Sequence, residues 1–196
     1  MNIILASQSP RRRELLSAMG VSFEVVVRSV DEQFPDNLDP VEAVRYIAEQ
    51  KAAVFRSTAA DELVIAADTI VTIDGQILGK PADRAAALGM LARLSGRRHD
   101  VITAFSLLHR GVITTFHDIT GVYFRVLSDD EIAGYVDGYQ PYDKAGAYGI
   151  QEWIGQVAIE KIAGSYTNVV GLPTQQLYRV LKSSFPEALT LPASRT

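Results

Sequence analysis

The sequence predicts a mixed α/β fold, and three observations carry that expectation. Segments with helical and strand periodicity alternate along the chain. One run, Leu63 to Ala67, is apolar throughout, as a strand covered on both faces is. Two short turn signals, Asp74-Gly75 and Arg110-Gly111, each join two strand-like stretches, so hairpins interrupt the order and the sheet is not purely parallel.

Taken in order, Asn2 to Ala6 reads as a short buried strand. Ser9 caps the first helix, with Pro10 at its first position, Leu15, Leu16 and Met19 as its apolar face, and Gly20 as its stop. Val21 to Val27 reads as a second strand. Asp39 with Glu42 forms a capping box for a helix running to about Ser57. Leu63 to Ala67 is the central strand, ended by Asp68-Thr69, and Ile70–Ile73 pairs with Gln76–Leu78. Asp83 begins a third helix that stops at Gly96. Val101 to Leu108 and Val112 to Phe124 form a long antiparallel pair, and Ser128 with Glu131 caps a fourth helix. Tyr139 to Glu152 is a loop rich in glycine and tyrosine. Val157 to Ile162 is a strand, Pro173 to Ser183 the last helix, and residues 186–196 a loose tail after a single domain over 1–185.

Composition narrows the function. With 196 residues and 47% hydrophobic content the chain can bury a sizeable core, so disorder throughout is excluded. A net charge of -4 speaks against coating nucleic acid or an anionic membrane, since both need a basic face. The absence of cysteine excludes disulfides, thiolate zinc sites and a cysteine nucleophile together. No apolar stretch is long enough to span a membrane, and Met1 to Ala6 does not read as a secretory signal, so the expected compartment is the cytoplasm.

The charges that remain are oddly placed. Arg11, Arg12 and Arg13 fill the first turn of the first helix, where the helix dipole disfavours each by roughly 0.3–1 kcal/mol. Such a run, led in by Ser7 and Ser9, suits an anion at that helix end; the alternative is a solvated basic face. Lysine is rare, yet Lys51, Lys80 and Lys144 all fall in site-like segments. Gly75 to Lys80 is no Walker A loop: one residue is missing, and Pro81 stands where Ser or Thr would hold magnesium. Asp68 stands where open α/β sheets bind ligands, and Glu32 is a second candidate carboxylate; their alternatives are a turn cap and a surface acid. The three histidines lack metal-ligand spacing, and no G-x-S-x-G elbow occurs. These features point to carboxylates for a hard divalent cation and basic groups for phosphates.

The strings Leu5-Ala-Ser-Gln-Ser-Pro-Arg-Arg-Arg13, Ala66-Ala-Asp-Thr-Ile-Val71, Leu78-Gly-Lys-Pro81, Leu94-Ser-Gly96 and Asp143-Lys-Ala-Gly-Ala-Tyr-Gly-Ile-Gln151 resemble the Maf family of nucleotide pyrophosphatases. Gly164-Ser-Tyr166 and Val169-Val-Gly-Leu-Pro173 extend the resemblance to about residues 2–183. It implies an elongated mixed sheet with flanking helices and a cleft between two lobes, similar to the inosine-triphosphate pyrophosphatases. It also implies hydrolysis of a nucleoside triphosphate to the monophosphate and pyrophosphate, with a magnesium or manganese ion. By motif, Asp68 is the catalytic residue and, with Glu32, a metal-handling one. Ser7, Arg12, Lys51 and Lys80 fall at phosphate positions, and Arg11, Thr69 and Gln151 where the family sets base preference. The 143–151 segment resembles the branch acting on dTTP and UTP, with removal of modified pyrimidine nucleotides as an associated role. Gln8 departs from the small residue common there. A homodimer is compatible with the family. The rival reading is a non-catalytic nucleotide-binding regulator of cell division, which would need the cationic groups but no carboxylate at the reacting phosphorus.

Overall fold

The computed structural model describes residues 1–57 and 61–190. Strand β1 (Ile3–Leu5) is buried throughout and runs parallel to both β2 (Glu24–Val25) and β3 (Leu63–Ile73). β3 turns into β4 (Gln76–Leu78) through Asp74 and Gly75, with φ of 53° and 74°. β5 (Arg98–His109) turns into β6 (Val112–Phe124) through Arg110 and Gly111, with φ of 48° and 79°. Positive φ at both central residues is the pattern of a type I′ hairpin, whose twist matches that of the strands. With β7 (Ile159–Ala163) antiparallel to β6, the seven-stranded mixed sheet has the order β2-β1-β3-β5-β6-β7, and β4 pairs with β3.

Three expectations for these strands are corrected. The strand read over Val21 to Val27 shrinks to Glu24–Val25, because its one partner, β1, has only three residues to offer. Asp68-Thr69 does not end a strand: β3 runs through both to Ile73, since Ile70 to Ile73 is again largely buried and pairs with β4. The last strand begins at Ile159, not Val157, because a short helix occupies the preceding residues.

Helix α1 (Pro10–Ala18) starts with the Ser9 side chain accepting the Arg12 N–H. α2 (Pro40–Ala53) has the full Asp39–Glu42 capping box and buries Ala43, Val44, Ile47, Ala48 and Ala52 on one face. It stops short of Ser57 because Phe55 and Arg56 donate to carbonyls three residues back, tightening the chain out of the helix. α3 (Arg84–Leu94) and α4 (Asp129–Tyr139) begin at Asp83 and Ser128 as expected. α5 (Trp153–Val157) and α6 (Tyr166–Val170) have too few residues to show periodicity and were not expected. α7 (Thr174–Ser184) closes the helical set. Residues 186–190, expected as the start of a loose tail, are packed: Ala188 is buried and Thr190 N–H donates to the Gly20 carbonyl at 3.1 Å. Gly20 has φ of 77°, and a Cβ there would meet the Thr190 oxygen at 2.3 Å. Residues 191–196 lie outside the described part.

The chain divides into two compact units. The first comprises residues 1–68, 103–118 and 171–196, and the second residues 69–102 and 119–170. In the first, Ile3, Leu5, Leu63 and Ile65 pack with Leu16 of α1 and Leu177 and Leu181 of α7. Ile4, Val64 and Ala66, on the alternate strand positions, pack with Ala52 and Phe55 instead. The sheet is thereby covered on both faces. In the second unit α3 packs on α4 and on the 3₁₀ turn Ala145–Ala147. Among the described residues no helix is long and apolar enough to cross a membrane.

Candidate active site

The link from β1 to α1 builds the cationic part of the first unit. Ser7 is buried, and its Oγ accepts from the Ser9 N–H and from Arg12 Nη1, each at 3.3 Å. Arg12 Nε donates to the Gly171 carbonyl at 2.8 Å. The guanidinium is therefore held from two sides at the start of α1. Burial lowers its pKa from the ordinary arginine value, and Arg11 adds to that. The nearby charges of Asp68 and Glu32 oppose it. Arg12 is thus one member of a mixed cluster and not a solvated face.

Lys51 joins the two carboxylates. Its Nζ lies 2.7 Å from Asp68 Oδ1 and 2.7 Å from Glu32 Oε1, so the two oxygens are no more than twice that distance apart. Lys51 sits in the last turn of α2, where the helix dipole favours a cation. Glu32 lies in a segment without regular structure, shaped by Asp31 Oδ1 accepting the Gln33 N–H at 3.0 Å. The side chains of Lys51 and Asp68 are 17% and 13% exposed while Glu32 is 48% exposed, so the pair with Asp68 is the sheltered one. Ser7, Arg12, Glu32, Lys51 and Asp68, spread over residues 7–68, are thus neighbours in the first unit, with Arg11 beside Arg12 on α1.

Thr69, Lys80 and Gln151 belong to the second unit. Thr69 follows Asp68 within β3 and is half-buried. Lys80 is exposed, and its loop is tied to the glycine-rich segment by the Gly146 N–H donating to the Gly79 carbonyl at 3.1 Å. Gly146 has φ of 68°, and a Cβ there would meet both Val71 methyls at 3.0 Å. Gln151 is exposed, and its side chain has no hydrogen-bond partner among the described residues. Lys144, Glu152 and Tyr135 form a further polar group that sequence reasoning left unassigned. Glu152 accepts from the Tyr135 hydroxyl and lies 3.1 Å from Lys144 Nζ, which also pairs with Asp143 at 2.7 Å. Burial, and next the bond to Glu152, push the Tyr135 phenol up. The rarity of lysine and its place among glycines were the one usable signal for Lys144. Tyr135 reads as part of the apolar face of its helix with Ile132 and Val136.

His99 is also in the second unit. Its Nε2 lies 2.8 Å from the Tyr148 hydroxyl, its ring is edge-on to Phe124 and Tyr148, and burial pushes its pKa down to about 4. It is a neutral core residue.

Among the described residues no group of three or more His, Cys, Asp or Glu side chains stands ready for a metal. Within this cluster the carboxylates of Glu32 and Asp68, which share Lys51, are hard oxygen donors. Two carboxylates suit a magnesium-like ion that keeps water and takes phosphate oxygens for its other positions.

The profile of the Maf-like protein family matches residues 2–184. The chain is 52% identical over 182 residues to a dTTP/UTP pyrophosphatase of Bacteroides fragilis, covering 92% of this chain and 94% of that protein. It is 48% identical to a dTTP/UTP pyrophosphatase of Porphyromonas gingivalis, over 92% of each chain. A solved HAM1 protein from Coxiella burnetii shares the fold with a TM-score of 0.52 at 16% identity, covering 94% of this chain and all of that one.

Proposed function

The chain belongs to the Maf-like protein family, and on that premise we propose that it hydrolyses dTTP and UTP to the nucleoside monophosphate and pyrophosphate. The observation that carries the reading is Lys51 bridging Asp68 and Glu32 beside the anchored Arg12 guanidinium. A triphosphate-cleaving site needs carboxylates at the reacting phosphorus and cations for the departing charge, and this cluster supplies both.

Asp68 orients a water and takes its proton as the water attacks the α-phosphorus. Lys51 holds Asp68 through Oδ1, which leaves Oδ2 to face that water. Arg12 and Lys51 offset the negative charge that gathers on pyrophosphate as the bond to the α-phosphorus breaks. Arg12 enters the reaction already fixed by Ser7 and Gly171, so little order must be created in the transition state. By motif Lys80 adds to the phosphate contacts, and Arg11 and Thr69 join Gln151 in base selection. Glu32 and Asp68 would hold a divalent cation, magnesium or manganese, which supplies polarisation of the phosphate oxygens. Gln151 accepts the N3–H of uracil or thymine and donates to an adjacent carbonyl; cytosine, with a bare N3 and an amino group, leaves that pattern unpaired. One or two such mismatches cost about 10–100-fold in kcat/KM, so dTTP and UTP outrun CTP.

Product analysis tests the reading. With Mg2+ or Mn2+, dTTP should give dTMP and pyrophosphate, a chelator should stop turnover, and Asp68→Asn should lower kcat by about 10²–10⁴-fold with nucleotide binding retained. Orthophosphate as the first product, or near-normal kcat in a folded Asp68→Asn protein, would overturn it.

A further inference from the structure

We infer that Tyr135, Glu152 and Lys144 form a tether that fixes the turn carrying Gln151, making them positioning residues for base selection. The inference rests on the reading of Gln151 as the base-contacting side chain and adds the group that holds it in place.

Gln151 is exposed between two anchored neighbours. Ile150 before it is 4% exposed and packed in the core. Glu152 after it is held by the Tyr135 hydroxyl and by Lys144. The same hydroxyl accepts the Gly149 N–H at 3.0 Å. One phenol oxygen therefore grips the chain on both sides of Gln151: it accepts from residue 149 and donates to residue 152. The turn is closed by its own backbone as well, with the Glu152 N–H donating to the Gly149 carbonyl at 3.0 Å.

The anchor itself is buried and packed. Tyr135 is 1% exposed and stacks on Tyr139 with ring centroids 5.0 Å apart, on a helix that packs against α3. Lys144 is buried too, so it ties the carboxylate to the start of the glycine-rich segment. Gly149 completes the arrangement. A Cβ there would lie 2.9 Å from the Glu152 carboxyl carbon, so a larger residue would push that carboxylate from its place over the turn.

The chemical consequence concerns order. An amide that must both accept and donate across one edge of a pyrimidine needs its two atoms placed within hydrogen-bond range together. With the backbone on both sides fixed, only the Gln151 side-chain torsions remain to be ordered when the base arrives. Without the tether the turn can shift, and misplacement by a fraction of an ångström weakens a two-point contact more than it weakens remote phosphate contacts. The tether should therefore appear in KM and in base preference, and hardly in kcat.

The test measures two things on Tyr135→Phe, Glu152→Ala, Glu152→Gln and Gln151→Ala proteins. The first is hydrogen exchange of the Gly149 amide, which reports the tether whatever the substrate is. The second is kcat/KM for dTTP, UTP and CTP. Gly149 exchange should rise about tenfold or more in Tyr135→Phe and Glu152→Ala. The dTTP-to-CTP ratio should fall about tenfold in both, through KM for dTTP, with kcat changed less than about threefold. Glu152→Gln, which can still accept from Tyr135, should keep most of the ratio. The inference is overturned if Tyr135→Phe and Glu152→Ala keep the parent's ratio while Gln151→Ala loses it. It is overturned equally if Gly149 exchange stays slow in both. If Gln151→Ala itself leaves the ratio unchanged, the base-reading role fails, and the exchange data still say whether the tether exists. Should Tyr135→Phe fail to fold, Glu152→Ala, altered on a partly exposed side chain, carries the same comparison.

Discussion

One part of this protein's sensitivity to acid should come from His99. Its ring is 2% exposed, and its Nδ1 has no hydrogen-bond partner among the described residues. A proton that binds near pH 6.5 in the unfolded chain binds only near pH 4 in the folded protein, because burial penalises the imidazolium. At ~1.4 kcal/mol per pH unit, that gap is worth about 3 kcal/mol. The sign follows from proton counting. Between those values the unfolded chain holds the extra proton, so the contribution is complete above pH 6.5 and drains away as pH falls toward 4. His99→Phe removes the titrating group and leaves the Tyr148 hydroxyl without its partner, so at pH 7.5 the variant should be less stable by about 1–3 kcal/mol. Urea unfolding of both proteins between pH 7.5 and pH 4.5 measures the difference, and other carboxylates and histidines cancel in it. The gap should close or invert by about 2–3 kcal/mol over that range. Parallel stability curves would refute the reasoning, and with it the description of His99 as a buried neutral ring.

The remaining expectations are shorter. Arg12→Ala should raise KM for triphosphate and also lower stability by about 1 kcal/mol, because the Gly171 carbonyl loses its donor; steady-state kinetics and urea unfolding check the two halves. Lys51→Met leaves Asp68 and Glu32 facing each other without their shared cation. It should depress thermal stability by about 1–3 kcal/mol in low salt and by less in 1 M NaCl, where the repulsion is screened; equal losses at both salts would rule out repulsion as the cause. Gly146→Ala should cost about 1–3 kcal/mol, since the new methyl meets Val71 at 3.0 Å on a backbone with φ of 68°; an unchanged melting midpoint would show that the loop shifts freely.

The helix starts at Ser9, Asp39, Asp83 and Ser128 were legible because each cap closes within three residues, and such bonds depend on nothing outside the segment. The two hairpins were legible for the same reason, their turn residues deciding the backbone locally. The arginine run and Asp68 were legible as chemistry out of place for a purely structural segment. The lengths of β2 and β3 were not, because a strand extends only as far as its partners allow. Nor could the dipole argument at Arg12 foresee its bond to Gly171, 159 residues away in the chain, or the one to Ser7 that holds the guanidinium from its other side. The sequence by itself determined which local structures form and which residue types are present for phosphate chemistry. Only the tertiary structure decided that Lys51 stands between Asp68 and Glu32, and that Tyr135 holds Gly149 and Glu152 on either side of Gln151. Those contacts join residues distant in the chain, and packing of the sheet and helices, not local preference, sets the distances between them.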